Sequence, residues 1–113
     1  MSIEKKIQEK GLTAPRVTPA DIEANIVREY YFTALDGAYG AYGATGMPPG
    51  DINLGLLTFC VLVLKNDFMV TGESVCVSPE NFNSEIGRDV ARENAIQKIW
   101  PLMCYALKEK LSQ

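Results

Sequence analysis

"LLTFCVLVLKNDFMVTGESVCV", residues 56–77, decides the fold. Both halves are rich in β-branched, aromatic and aliphatic side chains, which suit a pleated, packed surface. "KND" between them is turn chemistry, so the stretch is expected to form an antiparallel β-hairpin. The first half is apolar on both faces, as in a central strand covered on both sides. The second alternates Val70, Gly72, Ser74 and Cys76 with Met69, Thr71, Glu73 and Val75. A hairpin alone is marginal and leaves both edges unpaired. No third strand is evident elsewhere in the sequence, so a partner chain is expected to supply one.

Downstream, "SPENFN" (78–83) stops the strand and offers Ser78, Asn81 and Asn83 as helix caps, with Pro79 suited to a first turn. A helix is expected from about residue 84 to 111, bent at Pro101, where a backbone hydrogen bond is lost. Upstream, "TPAD" (18–21) opens another helix. Thr18 suits the cap, Pro19 the first position, and Asp21 bonds back to the start. Ile22, Ile26 and Tyr30 recur every four residues, so this helix is expected to run to about Leu35. Residues 36–55 hold six of the nine glycines and two prolines, and are expected to form a long loop whose Tyr39 and Tyr42 pack down on the domain. Residues 1–17 read as an N-terminal arm and 18–113 as a single α+β domain. That domain is expected to be a helix, a Gly-rich loop, a hairpin and a long helix, assembling with its copies through the hairpin and helices.

The C-terminal helix carries an oddity. Ile96, Trp100, Met103, Leu107 and Leu111 form one apolar stripe at 100° per residue. Extended toward the N-terminus, the stripe meets Asp89 and Glu93, with Arg92 and Glu85 at its flank. One reading is a solvated ladder of Glu85–Arg88 and Asp89–Arg92 pairs. The other is a cavity in which Arg88 and Arg92 grip a pyrophosphate, since guanidinium forks match phosphate oxygens. The helix N-terminus would add free N–H groups. Phe82 either stacks on a base or staples the helix start.

Composition narrows the chemistry. The chain of 113 residues has no histidine, which removes His-based acid–base catalysis and the commonest metal ligand. Cys60, Cys76 and Cys104 are odd in number and form no CxxC pair, so neither a disulfide framework nor a zinc site is indicated. No metal and no cofactor are expected. A net charge of −3 argues against long nucleic acid as partner, but leaves a small anion open. There is no membrane-length apolar run, and the polar start "MSIEKKIQEKG" has no signal-peptide character. A cytoplasmic protein is expected.

Residues 56–111 resemble a family of small phage and prophage proteins. The marks are the "LTFCVL" and "VTGES" strands, the "PENF" turn, "EIGR" followed by "AR" and "NA", and "KIWPL". "VTPADIEANIVREYYFTA" (17–34) resembles the family's first helix. The sequence departs from the family at Asp67, where Gly is expected, and at Met69, where Thr is expected. The family includes the phage Thoeris anti-defence proteins of the first-described type. That resemblance implies a protein that is not an enzyme. It implies a sponge, working in the infected bacterial host, for cyclic ADP-ribose isomers made by TIR-domain immunity proteins. Some members also take up cyclic oligonucleotides of CBASS defence. It further implies dimers or hexamers with ligand at subunit interfaces. In that setting Phe82 is expected to stack on purine and Arg88 and Arg92 to meet phosphate. Asn94 and Lys98 are expected deeper in the same groove, with Arg28 as a second phosphate contact and Thr71 and Glu73 on ribose hydroxyls. Two other classes fit the composition: an inhibitor that occludes a host protein, marked by an exposed apolar patch, and a structural phage component.

Overall fold

The computed structural model describes residues 2–46 and 51–113. The hairpin forms as the sequence demands, with β2 at Leu57–Leu64 and β3 at Met69–Val75, turning through Lys65–Asn66–Asp67. Asp67 takes the left-handed conformation (φ 69°) that favours glycine. Its carboxylate stays attached to the sheet through Arg28, 3.2 Å away.

The third strand comes from the chain itself. The expected helix from Thr18 stops at Asn25 (α2, Pro19–Asn25), and Ile26–Thr33 continues as strand β1. The Thr18–Asp21 capping box is in place, with both reciprocal bonds made. Six of the eight residues in "IVREYYFT" are β-branched or aromatic, however, and such side chains lose rotamer freedom in a helix. The four-residue spacing that suggested a helix is also a multiple of a strand's two-residue period. β1 pairs antiparallel with β2 and β2 with β3, giving the order β1-β2-β3 with a register shift between Ile26 and Arg28. The hairpin therefore needs no partner's strand to become a sheet.

The Gly-rich segment is also corrected. A second capping box, Thr33 with Asp36, starts helix α3 (Ala34–Gly46), interrupted at Gly43, whose φ is 68°. A short 3-10 helix follows at Asp51–Leu56. Of the expected loop, residues 47–50 lie outside the described residues. Tyr39 and Tyr42 are exposed rather than packed down. The N-terminal arm holds a short helix α1 (Ile3–Glu9), with Arg16 donating from its two terminal guanidinium nitrogens to the Glu4 carboxylate.

Helix α4 (Ser84–Leu111) starts on Asn83, whose side chain accepts the Ile86 N–H, and runs continuously through Pro101. It packs on one face of the sheet, across β2 and β3. There Cys60, Leu62, Leu64 and Val70 meet Ala91, Ala95, Ile96 and Ile99, with Ile22 of α2 closing the core. The seam of the first turns is made of small residues, Gly87, Ala91 and Ala95, rather than of the stripe through Asp89 and Glu93. Gly72 of β3 lies directly beneath it. A methyl group added there would fall 3.0 Å from the Ala95 Cα, and closer still to the Ala91 carbonyl and the Ala95 amide. The opposite face of the sheet is left open by α4. By register it carries Arg28, Tyr30 and Phe32 of β1, Phe59 and Val61 of β2, and Met69, Thr71, Glu73 and Val75 of β3. Phe32 and Phe59 pair there at 5.6 Å between centroids.

Candidate functional site

The eight residues expected to hold a ligand fall into four places. Thr71, Glu73, Asn94 and Lys98 gather at the β3 edge. Asn94 Nδ2 donates to the Glu73 carbonyl at 2.8 Å, Lys98 Nζ to the Thr71 hydroxyl at 3.5 Å, and that hydroxyl to the Glu73 carboxylate at 3.4 Å. Arg88 and Arg92 lie on the other flank of α4, toward β1. A helix turns 100° per residue, so positions 92 and 94 diverge by about 200° and cannot share one groove within a single chain. Arg28 stands on the open sheet face, paired with Asp67. Phe82 sits just before Asn83, at the start of α4.

The two arginines differ in state. Arg92 is fully engaged: it grips Glu23 of α2 with two nitrogens (2.7 and 3.0 Å) and Glu29 of β1 with two more contacts (3.2 Å each). One guanidinium thus ties three elements together, and the ladder with Asp89 does not form. Its hydrogen bonds hold both carboxyls below the usual carboxylate range, and they in turn raise its own affinity for its proton. Tyr31 donates to Glu29 at 2.7 Å; burial, then this bond, pushes its hydroxyl well above the usual phenol range. Arg88 has no carboxylate partner among the described residues. Its guanidinium carbon stands 6.0 Å from the Tyr31 ring centroid, at the outer limit of a cation–π contact.

A cavity of about 280 Å³ opens between the start of α4 and the ends of β2 and β3. Phe82, Ile86 and Val90 form its apolar wall, and Thr58, Ser74 and Asn81 bring polar groups to it. The sequence pointed to Phe82 but not to Thr58, which looks like one more apolar-strand residue until its register beneath α4 is known. It also missed Glu23, on α2, and Glu29 and Tyr31, whose alternation along "VREYYFT" is the legible signal that these two share a face. The thiol of Cys60 is buried, which pushes it up from its ordinary value, and it packs in the core.

Among the described residues no group of acidic or cysteine side chains is arranged to hold a metal ion, and no helix is long and apolar enough to cross a membrane. No significant match is found among curated proteins or solved structures. A family profile does match, over residues 17–111, from just before α2 to the last residue of α4. The chain therefore belongs to the phage protein (N4 Gp49/phage Sf6 gene 66) family.

Proposed function

We propose that this phage-family protein binds and sequesters a small cyclic nucleotide signal of bacterial immunity, without degrading it. The signal class is a cyclic ADP-ribose isomer made by TIR-domain (Thoeris) proteins, with cyclic oligonucleotides of CBASS as a further ligand class. The observation that carries the reading is at the start of α4. Phe82 walls a cavity there, and Arg88, on the neighbouring flank of α4 beside Tyr31, offers a guanidinium free of any described carboxylate. An aromatic wall and a free fork of donors are what a base and a phosphate require. Arg92, held by two glutamates, stiffens the flank on which Arg88 stands.

Two of the other expected contacts adjoin the cavity: Glu73 precedes its Ser74, and Asn94 stands one turn beyond its Val90. Arg28 is on the opposite face of the sheet, so the reading carries a homo-oligomer, a dimer or hexamer, in which a second chain brings such a residue to the ligand. Light scattering at micromolar concentration should give at least twice the 12.5 kDa of one chain. A clean monomer would remove the composite site.

The direct test is recovery of ligand. The protein is incubated with the product of an activated TIR-domain enzyme, freed of unbound material and heat-denatured, and the released compound is identified by mass. An intact cyclic ADP-ribose isomer is expected. Release of ADP-ribose or AMP would make the protein a hydrolase and sink the reading.

The open sheet face supports a second reading. Tyr30, Met69 and Val75 are each more than half exposed on it, a patch suited to occluding a host protein. That reading predicts a stable complex with a host protein and no retained small molecule.

A further inference from the structure

The cavity at the start of α4 has a feature that packing alone does not require. Thr58, 4% exposed, is the one buried polar side chain among the described residues. No side-chain oxygen or nitrogen there is both sealed from solvent and unpartnered, so its hydroxyl is left reachable from the cavity. What remains accessible of Thr58 opens into this cavity, which it helps to line. Directly across from it is Gly87, the only glycine in α4. A methyl group on Gly87 would come to 3.1 Å from the Thr58 Oγ1. Glycine is a poor choice in a helix interior, where alanine is better by about 1 kcal/mol. Here the missing side chain keeps the hydroxyl uncovered.

The lining says what would bond to that hydroxyl. None of the residues around the cavity is charged. A phosphate would find no counter-ion inside. Its walls are apolar and aromatic, and its polar groups are neutral hydroxyls and carboxamides. At about 280 Å³ it falls just below the range for small-molecule sites, on the order of 300–1,000 Å³, and holds one ring system rather than a whole dinucleotide. A neutral, flat heterocycle with a hydrogen-bonding edge meets all three conditions.

We propose that this cavity takes the nucleobase of the sequestered signal, that the Thr58 hydroxyl bonds the ring edge, and that Gly87 is bare to admit it. The proposal rests on the sequestration reading above and adds a specificity residue to it. Phe82 supplies the stacking wall, and the phosphates remain outside the cavity, toward Arg88, the residue after Gly87.

The test compares wild type with Thr58→Val, Thr58→Ser and Gly87→Ala. The probe is the purified cyclic ADP-ribose isomer from an activated TIR-domain enzyme. Binding is measured by calorimetry, with thermal melting alongside. Thr58→Val keeps the shape and removes the hydroxyl, so affinity should fall about tenfold, the equivalent of one lost neutral hydrogen bond. Thr58→Ser keeps the hydroxyl and should retain affinity within about twofold of wild type. Gly87→Ala should bind at least about tenfold more weakly while melting at or above wild type, since alanine favours the helix. A merely structural role for Gly87 predicts the reverse: lower melting and unchanged affinity. Unchanged affinity in folded Thr58→Val and Gly87→Ala, with wild type binding well, overturns the base-pocket proposal and leaves sequestration standing. Failure of wild type itself to bind overturns both.

Discussion

Gly72→Ala is expected to unfold the domain. The added methyl has no room, because it would strike the Ala91 carbonyl and the Ala95 amide of α4, and both are backbone atoms. Backbone in the middle of a 28-residue helix cannot rotate aside as a side-chain tip can. The helix must lift off β3, and it would carry Ile96 and Ile99 away from Leu62 and Val70. Overpacking typically costs about 1–3 kcal/mol where side chains can adjust. Here the cost should reach or exceed the top of that range, against a total stability on the order of 5–15 kcal/mol for a domain. Melting should fall by more than about 10 °C, or the variant should be recovered insoluble. Gly40→Ala in α3 is the control, since nothing lies within 4 Å of its added methyl. It should melt at or slightly above wild type. Near-wild-type melting of Gly72→Ala would mean that α4 does not sit so close to β3.

The two arginines of α4 should give opposite phenotypes. Arg88→Ala is expected to weaken ligand binding ten- to a hundredfold, the effect of losing a charge-assisted contact of roughly 1.5–3 kcal/mol. It should leave melting almost unchanged, because only a marginal ring contact is lost. Arg92→Ala should instead cost up to about 2 kcal/mol of stability, two partly exposed pairs at up to about 1 kcal/mol each. It should also change the response to acid. In the wild type, Arg92 holds the carboxyls of Glu23 and Glu29 below their ordinary value of 4.5. A lowered folded value adds stability that is complete above the unfolded value and is lost as pH falls through the folded one. Acidification from neutrality to about pH 3 should therefore cost the wild type stability that the variant no longer has to lose. Melting curves at both pH values, with calorimetry at neutrality, separate the roles. Full affinity in a folded Arg88→Ala protein would remove it from the site.

The hairpin, the central place of β2, the Asn83 cap and the limits of α4 were all legible from sequence, because each rests on local chemistry. β1 was not, because Ile22, Ile26 and Tyr30 recur at a spacing that serves helix and strand alike. The β-branched and aromatic content of "IVREYYFT" was the better guide. The start of α3 was missed although "TALD" repeats the Thr-x-x-Asp pattern read correctly in "TPAD"; the glycines that follow outweighed it. The seam of α4 was misplaced because Ala91 and Ala95 carry little hydrophobic signal. Their value lies in their smallness, and it appears only once Gly72 is known to lie beneath them. For the same reason Thr58 and Gly87 could not be paired. They are 29 positions apart in sequence and meet only when the helix lies across the strand.

The hydrogen bond from Asn94 to the Glu73 carbonyl has a consequence for how sheets of this protein can add together. The main-chain groups of Glu73 point away from β2, toward the place a fourth strand would occupy. With that acceptor taken, and Lys98 lying over Thr71 beside it, the β3 side is a poor template for further pairing. On the β1 side the Thr33 N–H is taken in the same way, by the Asp36 carboxylate where α3 begins, so both outer strands of the sheet carry a side-chain cap on their main chain.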